Sequence, residues 1–198
     1  MPRKYELRRR AERQEETRRR IVEATVALHE SLGPGRTTIS DIAARAGVER
    51  ATVYRHFPDE RTLFTACTGH YLAQHPLPDP RSWGEISDPV SRLRTALAEI
   101  YAYHRRTERI TEHTERDLPD LPALQAVLEP GFAHWSRLRE VLATGWPASE
   151  ERRALVVAGI GHAIAFLTWR SLVREQGLDD EQAAAAMVAM VRCLAEDD

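Results

Sequence analysis

The sequence predicts an all-α protein, and three observations carry that expectation. Apolar residues recur at helical spacing over most of the chain, no run shows strand alternation or an internal repeat, and clusters of glycine and proline punctuate the periodic segments. With 198 residues, 42% of them hydrophobic and 29% charged, the chain can build a core of one large domain or of a small one joined to a medium one. Two cysteines, Cys67 and Cys193, make neither a disulfide framework nor a zinc set.

The first helical pattern runs from Thr17 to Leu32, with Ile21, Ala24, Val26 and Leu28 between charges, and Gly33-Pro34-Gly35 stops it. Thr38 and Asp41 form a capping box for a short helix that ends at Ala46-Gly47. A third helix covers about Arg50 to His56 and closes at Phe57-Pro58, and Asp59 caps a fourth carrying Leu63, Phe64 and Tyr71. Three prolines within residues 75–80 mark a boundary, giving an expected N-terminal domain over 1–75 and a second over 81–198. The second half reads as a helix from Asp88-Pro89 through His104, a charged segment 105–117, helices over 121–128 and 131–143, a long helix from Ser149 to about Glu175, and a last one over 180–194.

Charge is divided unevenly. The total is −2, but residues 1–61 hold 14 basic and 10 acidic groups against 14 and 20 in residues 62–198. All basic residues except Lys4 are arginine, which makes forked contacts to phosphate or to a base edge. The first 20 residues contain nine basic groups, including Arg8-Arg9-Arg10 and Arg18-Arg19-Arg20, and read either as a self-paired solvated tail or as a flexible arm on phosphates. They hold no apolar stretch like that of a signal peptide. The most apolar segment, Ala154 to Trp169, is shorter than the roughly 20 residues that span a bilayer. The expected protein is soluble and cytoplasmic.

Function is expected from residues 38–57, two short helices joined by a tight glycine turn, which is a helix-turn-helix arrangement. Val53 and Phe57 can build a small core with Ile42 and Ala43. That leaves Arg50, Ala51, Thr52, Tyr54, Arg55 and His56 for solvent or a ligand. This set has no carboxylate in a chain with 30 Asp and Glu. Such a face suits a major groove, where Arg reads guanine, hydroxyls bind phosphate and a small Ala permits close approach.

The stretch IVEATVALHESLGPGRTTISDIAARAGVERATVYRHFPDERTLF, residues 21–64, closely resembles the N-terminal domain of the tetracycline-repressor (TetR) family of transcriptional regulators. The ordered matches are Ile21, Ala24, Leu28, Gly33, Thr38, Ile42-Ala43, Ala46-Gly47-Val48, Thr52-Val53-Tyr54, His56-Phe57 and Leu63. The resemblance implies Thr38 and Tyr54 at the DNA backbone, Arg50, Ala51 and Arg55 at bases, Thr52 and His56 at phosphates or base edges, and Ser40 as a candidate base contact. Three positions depart from the family pattern. Glu49 stands where many members have a Ser cap, and His29 replaces the usual Phe. Glu60 occupies a position often held by a phosphate-binding Lys, which makes the following Arg61 the candidate for that contact.

The same resemblance implies a C-terminal ligand-binding and dimerisation domain whose last two helices pair with those of a second subunit. Small residues along 158–165 and 183–189 suit that pairing, although a monomeric bundle with alanine-rich packing would show them too. Tyr101, His104, Phe132, Trp135, His162, Phe166 and Trp169 are the candidate lining of a pocket for a small hydrophobic or aromatic effector, against the plainer reading of ordinary core packing. The spacing of His104 and His113 supports no zinc site, and no cofactor is expected. The sequence-level expectation is a homodimeric repressor that leaves a palindromic operator when it binds a ligand. Two other readings stay open: a ligand-independent regulator or activator, and a small helical enzyme, for which no nucleophile-base pair is visible.

Overall fold

The computed structural model describes residues 2–196, with side chains from Glu6 onward except Leu7. The described residues form helices and no strands: α1 Pro2–Ser31, α2 Ile39–Ala46, α3 Arg50–His56, α4 Glu60–Gln74, α5 Arg81–Gly84, α6 Pro89–Asp117, α7 Pro122–Leu142, α8 Glu150–Ala163, α9 Phe166–Arg170 and α10 Asp180–Ala195. A π-helical turn, Ser171–Glu175, continues α9. The all-α class is as the sequence predicts. No single described helix is long and apolar enough to cross a membrane.

The chain divides into two compact units. The first holds residues 1–76 and 109–129, the second 77–108 and 130–198, so the end of α6 and the start of α7 belong to the first. The first unit is built on Ile21, Val22, Ala24, Leu28, Ile42, Ala43, Ala46, Val53, Phe57, Leu63 and Cys67. The second packs Trp83, Leu93, Leu97, Ile100, Tyr101, Leu138, Leu142, Val156, Ile160, Trp169, Val188 and Val191 around one core.

Three elements differ from their expected form. The first helix begins at Pro2 rather than near Thr17. Its early residues are mostly good helix formers, tied by Arg8–Glu12 (2.9 Å), Arg19–Glu16 (2.7 Å) and Arg19–Glu23 (3.3 Å) one turn apart. The arm is therefore a solvated helix, not a flexible tail.

Helices expected over 121–128 and 131–143 are the single α7, which runs through Pro130. Pro130 lies where the chain passes from the first unit to the second, and its ring removes one helical N–H. Conversely, the long helix expected from Ser149 to Glu175 is broken after Ala163, where Ala165 is extended (φ −72°, ψ 140°), and the two pieces are bent by 62°. The break leaves buried carbonyls that need donors from elsewhere. Tyr101 Oη donates to Ala163 O (3.0 Å), and the His104 ring bonds Ile164 O (3.0 Å), both from α6.

Candidate nucleic-acid interface

The local sequence makes α2 and α3 a rigid pair. Thr38 accepts from the Asp41 N–H (3.2 Å), while Asp41 accepts from the Thr38 N–H (3.1 Å), which closes the capping box. The Thr38 hydroxyl and N–H hold the Asp41 carboxyl below its usual range. Gly47 ends α2 in the left-handed region (φ 64°), so the chain turns sharply into α3. Val53 of α3 and Phe57, which caps its end, are buried in the first unit's core beside Ile42 and Ala43. The Arg18 guanidinium lies 4.9 Å over the Phe57 ring.

Burying that edge of α3 turns the rest of it outward. Arg50, Ala51, Tyr54 and Arg55 are exposed, and Thr52 and His56 are half-buried. Tyr54 keeps 49% of its surface, unusual for a large ring in a helix this tightly anchored. The Arg55 guanidinium donates to Thr52 Oγ1 (3.4 Å) one turn back. His56 has its pKa lowered first by partial burial and then by the Arg55 and Arg18 charges, with Glu15 opposing. Ser40 is exposed on the first turn of α2, Thr38 is exposed at its cap, and Arg61 is exposed on the first turn of α4. The sequence-derived residues thus lie on three elements of one unit, all with surface available.

Polar residues at the end of α6, in the segment that the sequence shows only as charged, have a structural role in the same unit. His113 Nδ1 donates to His29 O (3.2 Å), Arg116 donates to Leu32 O (2.9 Å), and Asp117 accepts from the Gly35 N–H (2.9 Å). Together they grip the turn that closes α1. No local signal reveals this, because the partners are more than 80 residues apart. His29, where the resemblance led one to expect Phe, is buried 5.8 Å from the Phe64 ring, and burial lowers its pKa to about 4.

In the second unit the structure brings together five of the seven candidate effector residues. His104 stacks on Trp135 (5.5 Å), meets Phe166 edge-on (5.6 Å), and lies 5.9 Å from Trp169 and 6.3 Å from Tyr101. Phe132 is 47% exposed and His162 is exposed, its ring near Thr168 Oγ1 (3.2 Å). Neither joins the cluster. Because Ile164 O can only accept, the His104 proton is on Nε2. Nδ1 is then a buried acceptor with no donor among the described residues. Burial lowers the His104 pKa to about 4, which keeps the ring neutral.

A family model described as bacterial regulatory proteins, tetR family, matches residues 21–67. The chain is similar to the HTH-type transcriptional regulator TtgR of Pseudomonas putida, with 34% identity over 111 residues, 54% of this chain and 52% of that one. It is also similar to the HTH-type transcriptional repressor KstR of Mycobacterium tuberculosis, with 25% identity over 166 residues, 81% of this chain and 76% of that one. The match to the first of these relatives spans about half its length. Among solved structures, NalD of Pseudomonas aeruginosa, the secondary repressor of the MexAB-OprM multidrug efflux pump, superposes with a TM-score of 0.56 at 23% identity, covering 89% of this chain and 95% of that one. That likeness is one of fold.

Proposed function

We infer that this chain, which belongs through residues 21–67 to the tetR family of bacterial regulatory proteins, is a homodimeric transcriptional repressor acting in the cytoplasm. It binds a palindromic DNA operator through α3 and leaves it when a small hydrophobic or aromatic molecule binds the second unit. Its work is binding, not catalysis. One observation carries the reading: α3 is locked into its core by Val53 and Phe57 while Arg50, Ala51, Thr52, Tyr54, Arg55 and His56 face outward without a carboxylate among them. Arg50 and Arg55 supply forks for base edges, and the hydroxyls and His56 supply phosphate contacts.

The dimer rests on α8 and α10. These helices pack so closely that a Cβ at Gly159 would meet the Leu194 side chain. Their outer faces still expose Leu155, Ala158, Ala185, Ala186 and Ala189. Covering that surface with a second copy would set two α3 helices on a twofold axis. The effector would lie against the aromatic cluster and give an O–H or N–H to His104 Nδ1. It can release DNA only by binding one spacing of the two heads more tightly than the other.

The test is selection of bound duplexes from a random pool. The expected product is an inverted repeat with half-sites about one helical turn or more apart. Arg50→Ala and Arg55→Ala should each cost about 1–3 kcal/mol and relax preference at one base position. A protein that enriches no sequence, or two variants that bind like wild type, would sink the reading.

A further inference from the structure

The helical arm and α3 enclose an open cleft of about 870 Å³ whose lining is rich in arginine. One wall is a stripe of α1 carrying Glu6, Arg9, Arg10 and Arg13; the other is Arg55 and His56 at the end of α3. The α1 residues that line the cleft recur every three or four positions from 6 to 17, so they form one face about 16 Å long. The lining holds four arginines and one carboxylate. Of the arm's other acids, Glu12 pairs with Arg8 and Glu16 with Arg19, while Glu15 lies near enough to His56 to oppose the lowering of its pKa. At 100° per residue Arg8 and Arg19 lie on the opposite side of α1 from Arg10. The His56 pKa is lowered first by partial burial and then by the Arg55 and Arg18 charges, with Glu15 opposing.

We propose that this cleft is a second DNA contact, in which Arg9, Arg10 and Arg13 of the helical arm, with Arg55, hold the phosphate backbone running past the end of α3. The proposal rests on the reading of α3 given above. A long row of cations matches a line of evenly spaced phosphates better than a single small anion. Its partner is fixed by continuity, because Arg55 belongs both to the outward face of α3 and to the cleft. Phosphate contacts position a protein on DNA without reading sequence. The arm should therefore add affinity and salt dependence while leaving base preference alone.

The experiment measures binding of the full-length protein to a labelled duplex of the selected sequence and to a scrambled duplex, across about 50–300 mM salt. The double variant Arg10→Ala/Arg13→Ala should flatten the slope of log affinity against log salt by about 2 per protomer, since each lost phosphate contact removes about 0.9. It should weaken both duplexes alike. Arg10→Lys/Arg13→Lys, which keeps the charge, should retain the wild-type slope. Arg8→Ala/Arg19→Ala, which removes the same charge from the opposite face, should retain it too. All these side chains are exposed, and an unchanged thermal midpoint checks that the variants fold. A wild-type slope in Arg10→Ala/Arg13→Ala, or an equal loss in Arg8→Ala/Arg19→Ala, overturns the cleft while α3 still selects its sequence. Wild-type protein that binds neither duplex overturns the DNA reading itself.

Discussion

Gly33 and Gly47 both have positive φ, but the two positions differ in what they would tolerate. Gly47 sits in the left-handed helical region (φ 64°, ψ 43°) with open space where a Cβ would go. Asn adopts that region readily, so Gly47→Asn should cost no more than about 1 kcal/mol. Gly33 (φ 95°, ψ 157°) lies in a region that is essentially glycine-only, and a Cβ there would run into the Arg116 guanidinium and the Asp117 carboxylate. Those groups could move only by giving up their bonds to Leu32 O and the Gly35 N–H. Gly33→Asn should therefore cost about 2–3 kcal/mol. Urea unfolding monitored by helix signal checks this, and equal losses for the two variants would show that the grip on the α1 turn contributes nothing. The sequence marked Gly33 as a helix stop but could not show the clamp around it, because Arg116 and Asp117 are more than 80 residues away.

At the scale of elements, the short helices were the legible ones because their ends are written locally. Thr38 with Asp41, Gly47, and Asp59 accepting from the Thr62 N–H (2.7 Å) all act within four residues of the boundary they set. The exposed face of α3 was readable for the same reason, since Val53 and Phe57 fix which side is buried. The start of α1 carried no such mark, and its arginine stripe became visible only once residues 6–17 were seen to be helical. The break after Ala163 was also hidden. Nothing in that apolar stretch signals a stop, and the groups that make it tolerable, Tyr101 and His104, come from α6. This gives Tyr101 a structural role beside its candidate place in an effector pocket. Tyr101→Phe leaves the packing nearly intact but strips Ala163 O of its donor. The expected loss is about 1–3 kcal/mol, the cost of an unsatisfied buried acceptor. Chemical denaturation measures it, and a variant as stable as wild type would mean that the broken helix satisfies its own carbonyl.

For the molecule as a whole, each unit carries one buried, neutral histidine: His29 in the first and His104 in the second, each with its pKa lowered to about 4, mainly by burial. In the unfolded chain both titrate near 6.5. Between those values the unfolded chain binds more protons than the folded one, so stability rises with pH through that window and falls on acidification from about 6.5 toward 4. Near pH 5 the slope should be about 1 kcal/mol per pH unit for each histidine. Below pH 4 a second loss should follow as Asp117 and Asp180 are protonated, because hydrogen bonds to Arg116 and Arg105 respectively hold their carboxyls below the usual range. The two histidines can be read separately. All four tryptophans, Trp83, Trp135, Trp146 and Trp169, fall in the second unit, so indole fluorescence follows that unit while helix signal follows both. His104→Gln should flatten the pH slope of fluorescence-monitored urea unfolding, and His29→Gln should flatten only the remainder seen in helix signal. A fluorescence slope unchanged by His104→Gln would show that the imidazole is protonated in the folded protein. Its Nδ1 would then be a donor rather than the acceptor on which the proposed effector chemistry depends.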